Sequence, residues 1–416
     1  MTLETGQKPE LLAPAKNLER LQVAVAYGAD AVYVGGQRYG LRARADNFCE
    51  EELAQGVAFA HRHGAKVYVT LNAFLHDADF EGFADYCRFL DEIGVDAAIA
   101  SDLGVIRTIQ ASSQLDVHLS TQASCLNAEA AQMWKSLGVK RLILGRELSV
   151  AEAGRIHQQA DIEVELFAHG AMCMAYSGNC TISNYTAGRD SNRGGCIQSC
   201  RLPYWLEGED TGQPAELVSL MSSKDLWGIQ QVGDFFRHGI ASLKIEGRMK
   251  SSFYVAMTCR AYRQAIDAWA AGKLDAALLA QLAAELESIP HRNYASGSLA
   301  TPAGPESVLE ESANINEGNG QYLGIVVAVT SQQIVLRLAD PLTVGDTIEI
   351  VPCSGAPLRW PVQRLLTVTG ESRASMRQGS AACLLWDDAP EIAPMQVSRL
   401  NVVRAATSDI PQPCNV

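Results

Sequence analysis

The chain has 416 residues, 47% of them hydrophobic and 19% charged, with a formal net charge of −13. That composition supports a large core and excludes a disordered or collagen-like chain. The acidic balance disfavours a generic nucleic-acid coat but leaves room for a local basic groove. No apolar run reaches the ~18 residues of a membrane helix. The opening MTLETGQKPELLAP lacks the basic-then-apolar pattern of a secretory signal, so a cytoplasmic protein with no membrane partner is expected.

The first 250 residues repeat one theme, a short β-type run followed by an amphipathic stretch. The runs are Leu11–Pro14, Ala31–Gly35, Lys66–Asn72, Ala97–Asp102, Val117–Gln122, Arg141–Arg146, Val164–Gly170 and Ser242–Gly247. Their apolar continuity (VYVTLN, RLILGR, VELFAHG) suits strands buried on both faces of a parallel sheet. Between them, Asn17–Gly28, Phe80–Gly94 and Lys224–Gly239 read as helices closing on glycine. Eight strands alternating with helices predict a TIM-like (β/α)8 barrel. A doubly wound sheet would want a phosphate fingerprint, and GGQRYG at 35–40 does not match GxGxxG. The last interval holds an excess of chain, about 171–216, rich in Gly, Ser and Asn. LVSLMS at 217–222 is a possible ninth strand.

Ser252–Gly272 and Asp275–Ser288 read as closing helices, ending a first domain at 1–295. A Gly-, Pro- and Ser-rich linker follows at 296–319. From 320 to 416 the texture changes to short alternating runs separated by turn residues, which predicts a small antiparallel β-barrel domain.

Eleven cysteines is a high count for a chain without an export signal, and a reducing cytosol disfavours structural disulfides among them. Seven are scattered and read as small buried hydrophobes. The other four fall in the insertion as Cys173-x6-Cys180-x15-Cys196-x3-Cys200. Four thiolates suit an iron–sulfur cluster or zinc, and only the second pair has zinc-knuckle spacing. The insertion follows a strand end, and in a barrel those loops form the catalytic face. Unliganded thiols are the bland alternative.

If the barrel is right, Asn72, Asp102, Gln122, Arg146, Glu147, His169, Glu246 and Arg248 converge on that face, with Lys244 on the same side of its strand as Glu246. Cations and carboxylates together suit a pocket for an anionic small molecule. Singly, Lys244 and Glu246 could be a buried ion pair, Asp102 a helix cap, Glu147 a cap of the following helix, and His169 a core histidine. Arg146 and Arg248 stand out because a guanidinium at a strand end needs an anion. No GxSxG or HExxH occurs, and a Cys173–His169 protease pair would leave three cysteines unexplained.

Several stretches are similar to peptidase family U32. They are ELLAPAKNLERLQVAVAYGADAVYVGG (10–36), HLSTQAS (118–124), LGRELS (144–149), FAHGAMCMAYSGNC (167–180), SSKDL (222–226) and SLKIEGRMKSSFYVA (242–256). The resemblance implies a TIM-like barrel with a 4Fe-4S cluster held by Cys173, Cys180, Cys196 and Cys200. The family was named for a collagenase-like activity. Its better-understood branches perform oxygen-independent hydroxylation of RNA or of ubiquinone precursors. The chain looks most like the branch that converts the tRNA wobble uridine to 5-hydroxyuridine, with prephenate as oxygen donor. On that reading Arg146, Arg248 and Lys244 would neutralise the carboxylated donor. His169 and Glu246 would be proton-transfer groups, and Gln122 and Asn72 would help bind substrate. Candidate tRNA contacts are Arg38, Arg42 and Arg44, or Arg189, Arg193 and Arg201 near the cysteines. The alternatives are another hydroxylation substrate, a collagenase-like peptidase, and a zinc-stabilised binding protein.

Overall fold

A computed structural model describes residues 8–41, 47–206, 216–219, 221–308, 318 and 320–406. Eight parallel strands form a closed ring: β1 (Glu10–Pro14), β2 (Ala31–Val34), β3 (Lys66–Thr70), β4 (Ala97–Ala100), β5 (Asp116–Leu119), β6 (Arg141–Ile143), β7 (Glu163–Ala171) and β8 (Ser242–Ile245). Each pairs with its chain neighbour. β8 closes the barrel by pairing with β7 at Lys244↔Phe167 and with β1 at Leu12↔Lys244. All eight predicted runs are strands, because continuous apolar residues can be buried on both faces only when helices cover the outside. The residues of β2 and β4 are buried throughout.

The outer helices are α1 (Leu18–Ala26), α2 (Glu50–Arg62), α3 (Phe83–Glu92), α4 (Leu103–Ser112), α5 (Ala128–Ser136) and α6 (Val150–Ala160). Each of α1, α4, α5 and α6 begins at a side chain that accepts from a backbone N–H of the first turn: Asn17, Asp102, Asn127 and Ser149. Asp102 is therefore a cap, as its position suggested. Glu147 is not, since Ser149 takes that role.

Between β7 and β8 the chain departs from the simple pattern. The insertion contains α7 (Ile182–Ala187), three short 3-10 turns and a two-stranded ribbon pairing Tyr204–Leu206 with Glu216–Val218. The suspected ninth strand thus belongs to this ribbon and not to the barrel. The predicted helix Lys224–Gly239 is also corrected. Asp225–Trp227 is a strand running antiparallel to the upper part of β7 (Asp225↔Ala171, Trp227↔His169), and only Val232–Arg237 forms helix α8. Two further helices, α9 (Ser252–Ala270) and α10 (Ala276–Glu287), follow β8. Part of the expected linker packs back on the barrel, where the Leu299 carbonyl accepts from Val150 N at 3.1 Å.

Residues from Tyr322 onward form a curled antiparallel sheet of eight strands around Trp360, Leu336 and Ile348, a second core, with a small separate ribbon pairing Leu342–Thr343 with Ser375–Met376. Gln333–Leu338 shows the alternating burial that its sequence suggested, whereas Tyr322–Val329, Thr347–Val351 and Ala381–Leu385 carry continuous buried runs. This module docks on the outside of the barrel. The Tyr27 hydroxyl donates to Val351 O (2.5 Å) and accepts from Val402 N (2.8 Å). Arg260, almost fully buried in α9, donates from Nε to Pro352 O at 3.0 Å. Among the described residues no helix is long and apolar enough to cross a membrane.

Candidate active site

A cavity of about 210 Å³ opens at the C-terminal ends of the barrel strands. Asn72, Gln122, Arg146, Lys244, Glu246 and Arg248 line it from the ends of four strands, β3, β5, β6 and β8, and Cys173, Cys180, Cys196 and Cys200 line it from the insertion. The barrel brings these residues together because every strand points the same way, so residues far apart in sequence share one rim. Among the described residues, none of the second module lines this cavity.

The insertion is tied across the barrel mouth by hydrogen bonds. The Glu147 carboxylate accepts from Ser177 N and from Ser177 Oγ, both at 2.7 Å. Asn179 Nδ2 donates to Gln122 O at 3.2 Å, and Arg193 Nη1 donates to Phe74 O (2.8 Å) and Asp79 Oδ2 (2.7 Å). Arg201 donates to Met172 O at 2.5 Å and to Ser223 O. Arg193 and Arg201 are therefore anchors of the loop, a correction to their reading as RNA contacts. Asn192 clamps Cys180, accepting from its N–H at 3.4 Å and donating to its carbonyl at 3.0 Å.

The four thiols are near one another. Burial pushes the Cys200 thiol up; Arg201 opposes this, and the sulfurs of Cys173, Cys196 and Cys180 reinforce it. Among the described residues no three of His, Cys, Asp and Glu are close enough to grip a single ion. The scattered cysteines divide. Cys87, Cys125, Cys259 and Cys383 are buried as expected, whereas Cys353 is exposed and Cys49 Sγ accepts from Glu52 N at 3.5 Å as the cap of α2. Cys414 lies outside the described residues.

Below the cysteines the polar side chains are held in different ways. Asn72 Nδ2 donates to Gln122 Oε1 (2.8 Å), which also accepts from Ser120 Oγ (2.9 Å). That leaves Asn72 Oδ1 and Gln122 Nε2 buried with no partner. Arg146 stacks over the Phe167 ring at 4.3 Å, its Nε is buried without a partner, and it makes no ion pair among the described residues. Arg248 Nη1 donates to Thr70 Oγ1 at 3.2 Å. It can lie there because residue 35 is glycine: a Cβ on Gly35 would sit 2.2 Å from that nitrogen. Tyr33 Oη donates to Glu246 Oε2 at 3.1 Å.

Two catalytic expectations need correction. Lys244 lines the cavity, but its ammonium donates to Glu165 Oε1 at 2.9 Å, so its ion-pair partner is Glu165 and not Glu246. His169 does not line the cavity. It is almost fully buried in a cage formed by the rings of Tyr254, Tyr262 and Tyr294, 5.5–6.0 Å between centroids. Burial, aided by the charges of Lys250 and His291, pushes its pKa down to about 3, so the imidazole is neutral near pH 7. Arg42 and Arg44 lie outside the described residues.

The sequence reading overlooked Phe167, Thr70, Tyr33 and Glu165. Glu165 carried a signal, a lone acid inside an apolar strand, which needs a buried cation. The others look like ordinary strand residues until the barrel closes.

Fold and site together define a TIM-type barrel whose mouth is covered by a four-cysteine loop over a pocket rich in polar and cationic side chains. The profile of Peptidase family U32 matches residues 16–308, and the chain belongs to that family. It is 43% identical to tRNA hydroxylation protein P1 of Bacillus subtilis, over 82% of this chain and 83% of that protein. It is 35% identical to tRNA hydroxylation protein P of Escherichia coli, over 88% of this chain and 90% of that one. It is also 35% identical to the 23S rRNA 5-hydroxycytidine synthase of Escherichia coli, over 83% of this chain but 53% of that longer protein.

Proposed function

We propose that this protein is an RNA-hydroxylating enzyme, and specifically that it forms 5-hydroxyuridine at the tRNA wobble position without molecular oxygen, using prephenate as the oxygen donor. The observation that carries the reading is the 43% identity, over most of both chains, to a tRNA hydroxylation protein. The cavity supports it. Four cysteines lining one chamber, only the second pair of which has zinc-knuckle spacing, suit a bulky 4Fe-4S cluster better than zinc. Such a cluster, when bound, supplies one-electron chemistry at the cavity.

The chain's own residues would do the rest. Arg146 is the cation best placed for a donor carboxylate, since its guanidinium faces the cavity with no carboxylate already attached. Arg248, braced by Thr70, would add a second positive charge. Lys244 is held by Glu165 and contributes background field more than a direct contact. Asn72 Oδ1 and Gln122 Nε2, one acceptor and one donor, match the complementary donor and acceptor on a pyrimidine edge. Glu246, positioned by Tyr33, is the proton-transfer group that the cavity offers.

The test is nucleoside analysis of bulk tRNA from a deletion strain complemented with the wild-type chain or with Cys200→Ala. Loss of 5-hydroxyuridine in the deletion and no recovery with Cys200→Ala are expected, with iron and sulfide absent from the variant purified anaerobically. Full modification with Cys200→Ala would refute the ligand assignment. Unchanged nucleosides in the deletion would refute the substrate.

A further inference from the structure

A second cavity, of about 500 Å³, lies beside the first. Consecutive or near-consecutive residues on three loops line the two chambers. Leu41 faces the cysteine cavity and Gly40 the second; Asn72 faces the first and Ala73 the second; Ser191 faces the first and Arg193 the second. The partition is a built wall: Ala73 N donates to Tyr39 O and Phe74 N donates to Asn192 O, each at 3.1 Å.

We propose that this second chamber receives the ribonucleotide next to the target base on the same RNA strand. The inference rests on the RNA reading above. A single strand whose bases are splayed out needs adjacent pockets, an aromatic or guanidinium plane for each base, and a cation near its backbone. The chamber supplies all three. Arg38 is exposed, makes no ion pair among the described residues, and lies 5.5 Å over the ring of Tyr39. Phe74 adds a second aromatic surface. The Tyr39 hydroxyl is buried without a hydrogen-bond partner, ready for a base edge. Tyr39 also has φ 66, a left-handed conformation that a bulky residue rarely adopts and that surrounding structure must enforce. Two carboxylates line the chamber as well. Asp79 is taken by Arg193, whereas Glu81 is exposed and can accept from an exocyclic amine.

The experiment measures binding of the full chain, by fluorescence anisotropy at fixed salt, to a tRNA anticodon stem–loop with uridine at the wobble position. Two further probes carry an abasic ribose immediately 5′ or 3′ of that uridine. One of the two abasic probes should bind about tenfold more weakly than the intact loop, the loss expected for one stacked base. Arg38→Glu should weaken the intact loop by a similar factor and erase the difference between intact and abasic probes. Tyr39→Phe, which keeps the ring packed on Phe83, should reduce the same difference. Equal binding of all three probes by the wild-type chain, or a difference that survives Arg38→Glu, overturns the inference and leaves RNA hydroxylation standing. Failure to bind any of the loops sinks both.

Discussion

Midway along the barrel, Glu165 is fully buried between two cations. One oxygen accepts from Lys244 at 2.9 Å and the other faces Arg141 at 3.5 Å, while Arg141 also pairs with Glu10 and Glu163. Burial pulls the Arg141 pKa down, yet Glu10 and Glu165 outweigh it and hold the guanidinium firmly charged. Higher up, at the strand ends, Arg146 has only a phenyl ring beneath it, and Asn72 and Gln122 each keep one polar atom without a partner. Inside the barrel the charges are paired across strands. Polar groups left incomplete at the mouth are the signature of a place awaiting a ligand.

The comparison breaks most severely at Glu165. Glu165→Ala strands the buried Lys244 ammonium, while Arg141 keeps Glu10 and Glu163, and unfolding measured by urea should show a loss of about 3–5 kcal/mol. If the loss is under ~1 kcal/mol, the network is not what holds the barrel's interior. Arg146→Ala should behave in the opposite way. Stability should change by less than ~1 kcal/mol. The loss of a charged contact to the donor should reduce donor affinity by about 1.5–3 kcal/mol, roughly ten- to hundredfold, visible as a raised KM. Full rescue by Arg146→Lys would mean that a point charge suffices there.

His169 sharpens the comparison through pH. Its folded pKa is depressed to about 3, below the ordinary 6.5. Below about 6.5 the unfolded chain binds a proton that the folded cage refuses, so the stabilising contribution is complete above that pH and is lost as pH falls toward 3. His169→Gln should flatten the dependence of stability on pH across this window, and the iron content of anaerobically purified protein should match that of the wild type. Loss of the pH dependence of catalysis, with stability unaltered, would instead restore His169 to a catalytic role.

The smallest effect is expected at the junction of the two modules. Burial would raise the Glu19 pKa, but hydrogen bonds from Arg337 and Ser252 outweigh it and lower the carboxyl. Its contribution is therefore present above about 4.5 and fades as pH falls below. Glu19→Gln should cost at most ~1 kcal/mol at neutral pH, and the difference from wild type should vanish in acid. A larger loss, or one independent of pH, would show that packing and not charge secures this part of the docking surface.

The barrel was legible because its strands are short continuous apolar runs that end in polar residues, a pattern that both builds the sheet and marks its rim. The cysteine spacing and the U32 motifs likewise stood out in the linear chain. The strand Asp225–Trp227 did not, because it exists only by pairing with β7 and with Tyr294–Ala295, and three residues carry too little periodicity to reveal a partner. His169 and Arg146 show the same divide at the level of single side chains. Both sit near strand ends, yet one turns into a tyrosine cage and the other stays at the cavity. Local sequence encodes which residues are apolar, where strands begin and which atoms could bind metal. Only closure of the ring settles which cation finds an acid and which is left to face the chamber, because those partners come from strands more than a hundred residues apart in some cases, such as Glu10 and Arg141.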